Sequence, residues 1–187
     1  ADGNHLTLKT SGLCATIESH APTLNIADAA GWPVLTINDL RAGKDGSGFG
    51  FPIEAEDLVY GLGQGTGSLN RKDTRKDIWN IDILGHASCI HPGLRTLYQS
   101  IPFGILVRHG RAVGLFWDYP GHQTWDFTDS RLNAYSPNQA LDLYIFTGPT
   151  LADILRRYAQ LTGRAALPPR WALGYQQSRY SYGSRTE

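Results

Sequence analysis

Carboxylates, imidazoles, a thiol pair and a glycine-rich turn are the parts of this chain from which a reactive site could be built. Asp118, Asp126, Asp129 and Asp142 fall in one stretch. Two carboxylates about 5–5.5 Å apart, or farther when a water must fit between them, can hydrolyse a glycoside. Nothing in the spacing of these four singles out an acid and a nucleophile, so none is assigned a catalytic role. No nucleophile elbow surrounds a serine, and no Cys-His pair has a persuasive context.

His86, Cys89 and His91 lie close together, but Gly85, Pro92 and Gly93 describe an irregular loop around them. Zinc sites read from sequence show two ligand pairs at fixed spacing. No metal is predicted. Gly61-Leu62-Gly63-Gln64-Gly65-Thr66-Gly67 invites a nucleotide-loop reading, yet neither Gly61 nor Gly63 has a glycine five residues later, and no Gly-Lys-Ser/Thr follows. It reads as a flexible turn region, and no cofactor is expected.

Aromatic side chains are a different resource. Five Trp and nine Tyr can stack on sugar rings or fill a core. Trp117 and Trp125 sit in strand patterns and are assigned to the core. Trp79 lies in the polar stretch Arg71 to Asp82 and is the candidate for the rim of a site.

The elements that must position these residues are mostly strands. Leu6 to Thr10 and Leu13 to Glu18 alternate around Ser11-Gly12, and Thr23 to Asp28 and Val34 to Asn38 bracket a Gly- and Pro-punctuated turn. Phe49, Phe51 and Ile53 share a face at a period of two. Ile101 to Tyr119 predicts a hairpin turning at His109-Gly110, with Ile101, Phe103, Ile105 and Val107 on one face and both arms apolar throughout. Such arms suit the buried inner sheet of a sandwich. Thr124 to Phe127 and Leu141 to Thr147 continue the series. The sum is an antiparallel β-sandwich.

At Pro149 the period changes. Thr150 is placed to cap a helix carrying Leu151, Ile154, Leu155, Tyr158 and Leu161, with Asp153 in the capping-box position and Gly163 as its stop. Leu167-Pro168-Pro169 reads as a stiff linker, and Trp171 to Tyr175 as a short apolar strand.

Composition narrows the partner class. Lys plus Arg and Asp plus Glu number 17 each, giving zero formal charge. Nucleic acid and anionic membranes favour a basic excess, so neither is expected as a partner. No apolar run approaches the ~20 residues of a membrane span. The absence of any Met predicts a processed chain or one excised from a longer protein. Cys14 and Cys89 are too few for a disulfide framework; two free thiols in a reducing, cytoplasmic setting are the expectation.

Four ordered segments resemble glycoside hydrolase family 31, the α-glucosidase and α-xylosidase family. Tyr60-Gly61-Leu62-Gly63-Gln64 is similar to that family's YGLGE, and Trp79-Asn80-Ile81-Asp82 to its WNTD loop. Leu97-Tyr98-Gln99-Ser100-Ile101-Pro102-Phe103 matches its LYQSIPF strand, followed by Gly114-Leu115-Phe116-Trp117-Asp118. Leu141 to Phe146, Tyr158 to Arg164 and Leu167 to Tyr180 complete the set.

The resemblance implies a galactose-mutarotase-like sandwich over residues 1–148, a connecting helix and Pro linker over 149–169, and the first strand of a (β/α)8 barrel over 170–187. It implies a retaining mechanism whose Asp nucleophile and Asp acid/base lie beyond Glu187, so the chain alone is expected to be inactive. Two positions carry over as substrate-binding residues. Asp82 accepts hydrogen bonds from vicinal sugar hydroxyls, and Tyr180, at the carboxyl end of the first barrel strand, forms part of the pocket wall. The implied partners are an oligosaccharide or α-glycoside substrate and the rest of the chain's own catalytic barrel. Gln64 stands where the family has Glu, and Ile81 where it has Thr. The rival expectation is a stand-alone carbohydrate-binding sandwich without hydrolytic activity.

Overall fold

The computed structural model describes residues 5–18, 20–81, 98–137, 140–177 and 183–186. The described strands form three antiparallel sheets. β1 (His5–Lys9), β2 (Leu13–Glu18), β3 (Leu24–Asp28) and β4 (Pro33–Ile37) make a four-stranded meander. β5 (Asp39–Gly43), β6 (Gly46–Pro52), β12 (Arg131–Ser136), β11 (Gln123–Asp126) and β8 (Arg75–Ile78) form a five-stranded sheet in that order. The third sheet runs β13 (Leu143–Gly148), β10 (Arg111–Trp117), β9 (Phe103–Arg108) and β7 (Leu58–Gly61). It is the antiparallel sandwich expected from the sequence.

The β9–β10 hairpin shows why both arms are apolar. Its two-residue turn places His109 at φ 49° and Gly110 at φ 73°, the left-handed pair that matches strand twist. Register then sets Ile105 opposite Gly114 and Phe103 opposite Phe116. On one face, Leu106, Val113, Leu115 and Trp117 enter the main core with Phe49, Phe51, Trp125 and Leu132 of the facing sheet. On the other, Phe103, Ile105, Ala112 and Phe116 close a second core against a helix. At the centre of the main core Phe49 meets Trp117 edge-on at 5.7 Å and Trp125 at 5.3 Å. Such pairs add about 0.5–1.5 kcal/mol each beyond burial.

That helix is α1 (Leu151–Thr162). Thr150 Oγ1 accepts from the Asp153 backbone N–H at 3.2 Å, and the Asp153 carboxylate accepts from the Thr150 hydroxyl at 2.6 Å. The cap is thus a Thr–Asp variant of the capping box. Ile154 is fully buried, and the Tyr158 ring stacks on Phe103 at 4.0 Å. Gly114 permits this approach: a Cβ there would lie 2.6 Å from Ile154 Cγ2. The apolar face of α1 is wider than the sheet covers, leaving Leu151, Leu155 and Leu161 exposed.

The strand expected from Trp171 does not form. Arg170–Leu173 is a short 3₁₀ helix, closed by the Ala172 N–H on the Pro169 carbonyl at 2.9 Å and the Gly174 N–H on the Trp171 carbonyl at 3.1 Å. Among the described residues no strand runs beside this segment, so its backbone is satisfied locally. Trp171, Leu173 and Tyr175 are all exposed.

The Gly61–Gly67 segment is the turn region expected of it, and its first residues are anchored. Gly61, Leu62 and Gly63 take φ of 99°, 64° and 78°. The backbone is held by the Leu62 N–H on the Phe103 carbonyl at 2.9 Å and the Gln64 N–H on the Gln99 carbonyl at 3.0 Å. Four strands without a clear sequence signal, β5, β7, β8 and β12, complete the sheets.

Candidate functional site: a cleft beside Trp79

Three loops meet where β8 and β10 end. β8 delivers Trp79 and Asn80; the segment before β9 delivers Ser100 and Pro102; the end of β10 delivers Phe116, Asp118 and Tyr119. Together they line an open cleft of about 410 Å³, within the size range of ligand pockets.

Each loop is fixed to the next. The Trp79 backbone N–H donates to Ser100 Oγ at 3.2 Å, and the Ser100 N–H donates to Asn80 Oδ1 at 2.8 Å. The Trp117 N–H reaches the Pro102 carbonyl at 3.0 Å. Gln123, fully buried, holds the third loop from beneath. Its Nε2 donates to the carbonyls of Tyr119 at 2.8 Å and Trp117 at 3.2 Å, while its Oε1 accepts from the Trp125 indole at 3.0 Å. Trp79 is 49% exposed, as expected of a rim residue, and its ring meets His122 edge-on at 5.9 Å. Trp117 and Trp125 are buried in the core.

Behind the rim, Asp77 Oδ1 accepts from the Thr124 hydroxyl at 2.9 Å. Its neighbour Lys76 is buried and donates to the Gln64 carbonyl at 3.2 Å. Burial first, and the Arg71 charge second, pull the Lys76 ammonium below its ordinary 10.5, with Asp77 opposing.

The cleft offers an aromatic wall, an amide, a hydroxyl and one carboxylate, Asp118, among its described lining residues. That set can bind a polyhydroxylated ring. Hydrolysis by a carboxylate pair needs a second acid. No group of three or more His, Cys, Asp or Glu is arranged for a metal among the described residues.

Asp82 follows Ile81 directly and lies outside the described residues, as do Tyr180 and the trio His86, Cys89 and His91. The described chain reaches the cleft rim two residues short of Asp82. Sequence reasoning had not singled out Asn80, Ser100 or Tyr119 as partners in one site. All but Tyr119 sit inside the segments that carried the resemblance, and those segments prove to be neighbours in space.

The family model described as the glycosyl hydrolase 31 N-terminal galactose mutarotase-like domain matches residues 2–126. The chain is 41% identical over 138 residues to alpha-glucosidase 2 of Bacillus thermoamyloliquefaciens, covering 72% of this chain and 17% of that protein. It is 33% identical over 133 residues to an alpha-glucosidase of Saccharolobus solfataricus, covering 70% and 19% respectively. In fold it is similar to a family 31 dextranase from Flavobacterium johnsoniae, with a TM-score of 0.80 at 23% identity, over 94% of this chain and 21% of that one. The chain therefore spans about a fifth of the length of the relatives it matches.

Proposed function

Because this chain belongs to glycoside hydrolase family 31, as its N-terminal galactose mutarotase-like domain, we propose that it is the supporting and substrate-loop domain of a retaining α-glycosidase. The full-length protein removes terminal α-glucosyl or α-xylosyl residues from an oligosaccharide or aryl glycoside. In this reading residues 1–148 form the sandwich, 149–169 the connector and 170–187 the start of the catalytic barrel. The acid/base and nucleophile lie outside this chain, which by itself does not hydrolyse.

The observation that carries the reading is the convergence of Trp79-Asn80, Ser100-Pro102 and Phe116 to Tyr119 on one cleft. The bonds among them hold the loop that leads into Asp82. A carboxylate at that rim accepts two directed hydrogen bonds from vicinal hydroxyls. Tyr180 is assigned to the wall of the same pocket. The family 31 dextranase of similar fold was solved with glucose and with isomaltotriose, which supports an oligosaccharide as partner. The exposed apolar residues of α1 and the segment after it, Leu155, Trp171 and Tyr175, supply the surface on which the barrel rests.

Kinetics of the full-length protein test this. Asp82→Ala should lower kcat/KM on maltose, isomaltose or an aryl α-glycoside by tenfold or more, about 1.4 kcal/mol of transition-state binding. An unchanged value removes the role of Asp82, and no activity on any such α-glycoside defeats the functional reading. Calorimetry separates the rival, a stand-alone binding module, which would bind sugar tightly without the barrel.

A further inference from the structure

A second cavity, of about 330 Å³, lies at the opposite end of β10 from the Trp79 cleft, between the β3–β4 turn and the tip of the β9–β10 hairpin. β10 runs Arg111–Trp117, so at about 3.4 Å per residue the two sites are roughly 20 Å apart.

Its wall is Trp32, 62% exposed. An exposed indole is ordinarily free to move, but this one stands on a braced turn. Asp28 Oδ1 accepts from the backbone N–H of Ala30 at 2.9 Å and of Trp32 at 3.0 Å. The Asp28 N–H bonds the Trp32 carbonyl at 2.9 Å. The other Asp28 oxygen pairs with Arg111, whose guanidinium carbon stands 5.8 Å from the Trp32 ring centroid.

The remaining polar lining is paired with carboxylates. Arg108 is held by Asp57 and by Glu54, the latter at 3.3 Å, and His109 Nε2 faces Glu54 Oε2 at 3.0 Å. Both arginines of the cavity have carboxylate partners, which disfavours phosphate or a nucleotide. Arg111 keeps N–H donors beyond the one it gives Asp28, and the second nitrogen of His109 can bond a hydroxyl. An indole on a braced turn, with Arg111 over one face and its other face open to a ligand, and both arginines already paired, fits a neutral pyranose ring.

We propose that this cavity is a second carbohydrate site, in which Trp32 carries the apolar face of one pyranose of a neutral oligosaccharide while Arg111 and His109 bond its hydroxyls. That the oligosaccharide is α-linked and built of glucose rests on the function proposed above; that it is a neutral pyranoside does not.

The test follows the indole N–H resonances of this chain during titration with maltotriose and isomaltotriose up to about 10 mM, the millimolar range of weak sites. The Trp32 resonance should shift saturably with at least one sugar. Trp32→Ala should weaken that binding at least tenfold, and Trp32→Phe, which keeps an aromatic face, should retain most of it. The proposal is overturned if the Trp32 resonance stays still, if sorbitol or inorganic phosphate moves it equally, or if Trp32→Ala binds as well. A shift confined to Trp79 also overturns it, while leaving the first cleft in place. Glycosidase activity of the full-length protein is a separate readout, so either idea can fail alone.

Discussion

The carbonyl oxygen of Gln99 approaches Gly63 so closely that a Cβ there would lie 1.8 Å from it. Two segments far apart in sequence meet there, joined by the Gln64 N–H on the same carbonyl at 3.0 Å, one residue before Ser100 of the Trp79 cleft. Gly63 also holds φ at 78°, which side chains adopt at a cost. Gly63→Ala should therefore destabilise the fold by about 2–4 kcal/mol, combining strain with the displaced contact. Urea unfolding would measure it; a loss under about 0.5 kcal/mol would mean the contact yields easily.

Gln123 is the polar keystone of the third loop. Replacing it by Leu leaves the Trp125 indole and the Tyr119 carbonyl without their partner, while the Trp117 carbonyl keeps the Tyr119 N–H at 2.9 Å. The expected loss is about 2–4 kcal/mol, with a shift of the Tyr119 and Trp125 resonances. A variant as stable as the parent chain would show that the loop is held by packing alone.

Arg108 grips Asp57 through Nε at 3.0 Å and Nη2 at 2.5 Å, and the Asp57 side chain is 1% exposed. Breaking a buried pair from one side strands the other charge. Arg108→Met should cost about 3 kcal/mol because it strands the buried Asp57 carboxylate, and Asp57→Ala somewhat less because Arg108 keeps Glu54 and reaches solvent. The double variant should be less damaging than the two losses summed. Strict additivity in a double-mutant cycle would deny the coupling.

Asp28 predicts a pH dependence. Partial desolvation would raise its carboxyl, but the N–H groups of Trp32 and Ala30 and the Arg111 charge together hold it below the ordinary 3.8. The unfolded chain then binds the proton more readily, so stability rises with pH across this range. The contribution is complete above the ordinary value and is lost as pH falls below it towards the native one. Asp28→Asn should flatten that part of the urea-midpoint profile; an unaltered acid limb would exclude Asp28 as its source.

Much of the fold was legible because its signals are local. The β9–β10 hairpin announces itself through a His-Gly turn between apolar runs, and α1 through Thr150, Asp153 and Gly163. β12 escaped because its buried positions are Leu132, Ala134 and Ser136, and alternation carried by Ala and Ser is faint. The strand expected at Trp171 illustrates the converse. A short apolar run specifies a strand only when a neighbour supplies its hydrogen bonds. In the cleft, the segments were readable but their mutual contacts were not, since Trp79 and Ser100 are joined by tertiary structure. The Trp32 cavity had no sequence signal at all, because Asp28, Arg111 and His109 come from two separate hairpins.

β10 is bonded to a strand on each side and packed on each face, by the core through Leu115 and by α1 through Gly114. Such a strand opens only when the whole domain does, so its amides should be among the last to exchange with deuterium. It works as a stiff ruler: the hollow at one end and the cleft at the other keep a constant span, whereas the exposed edge strand β1 should exchange early.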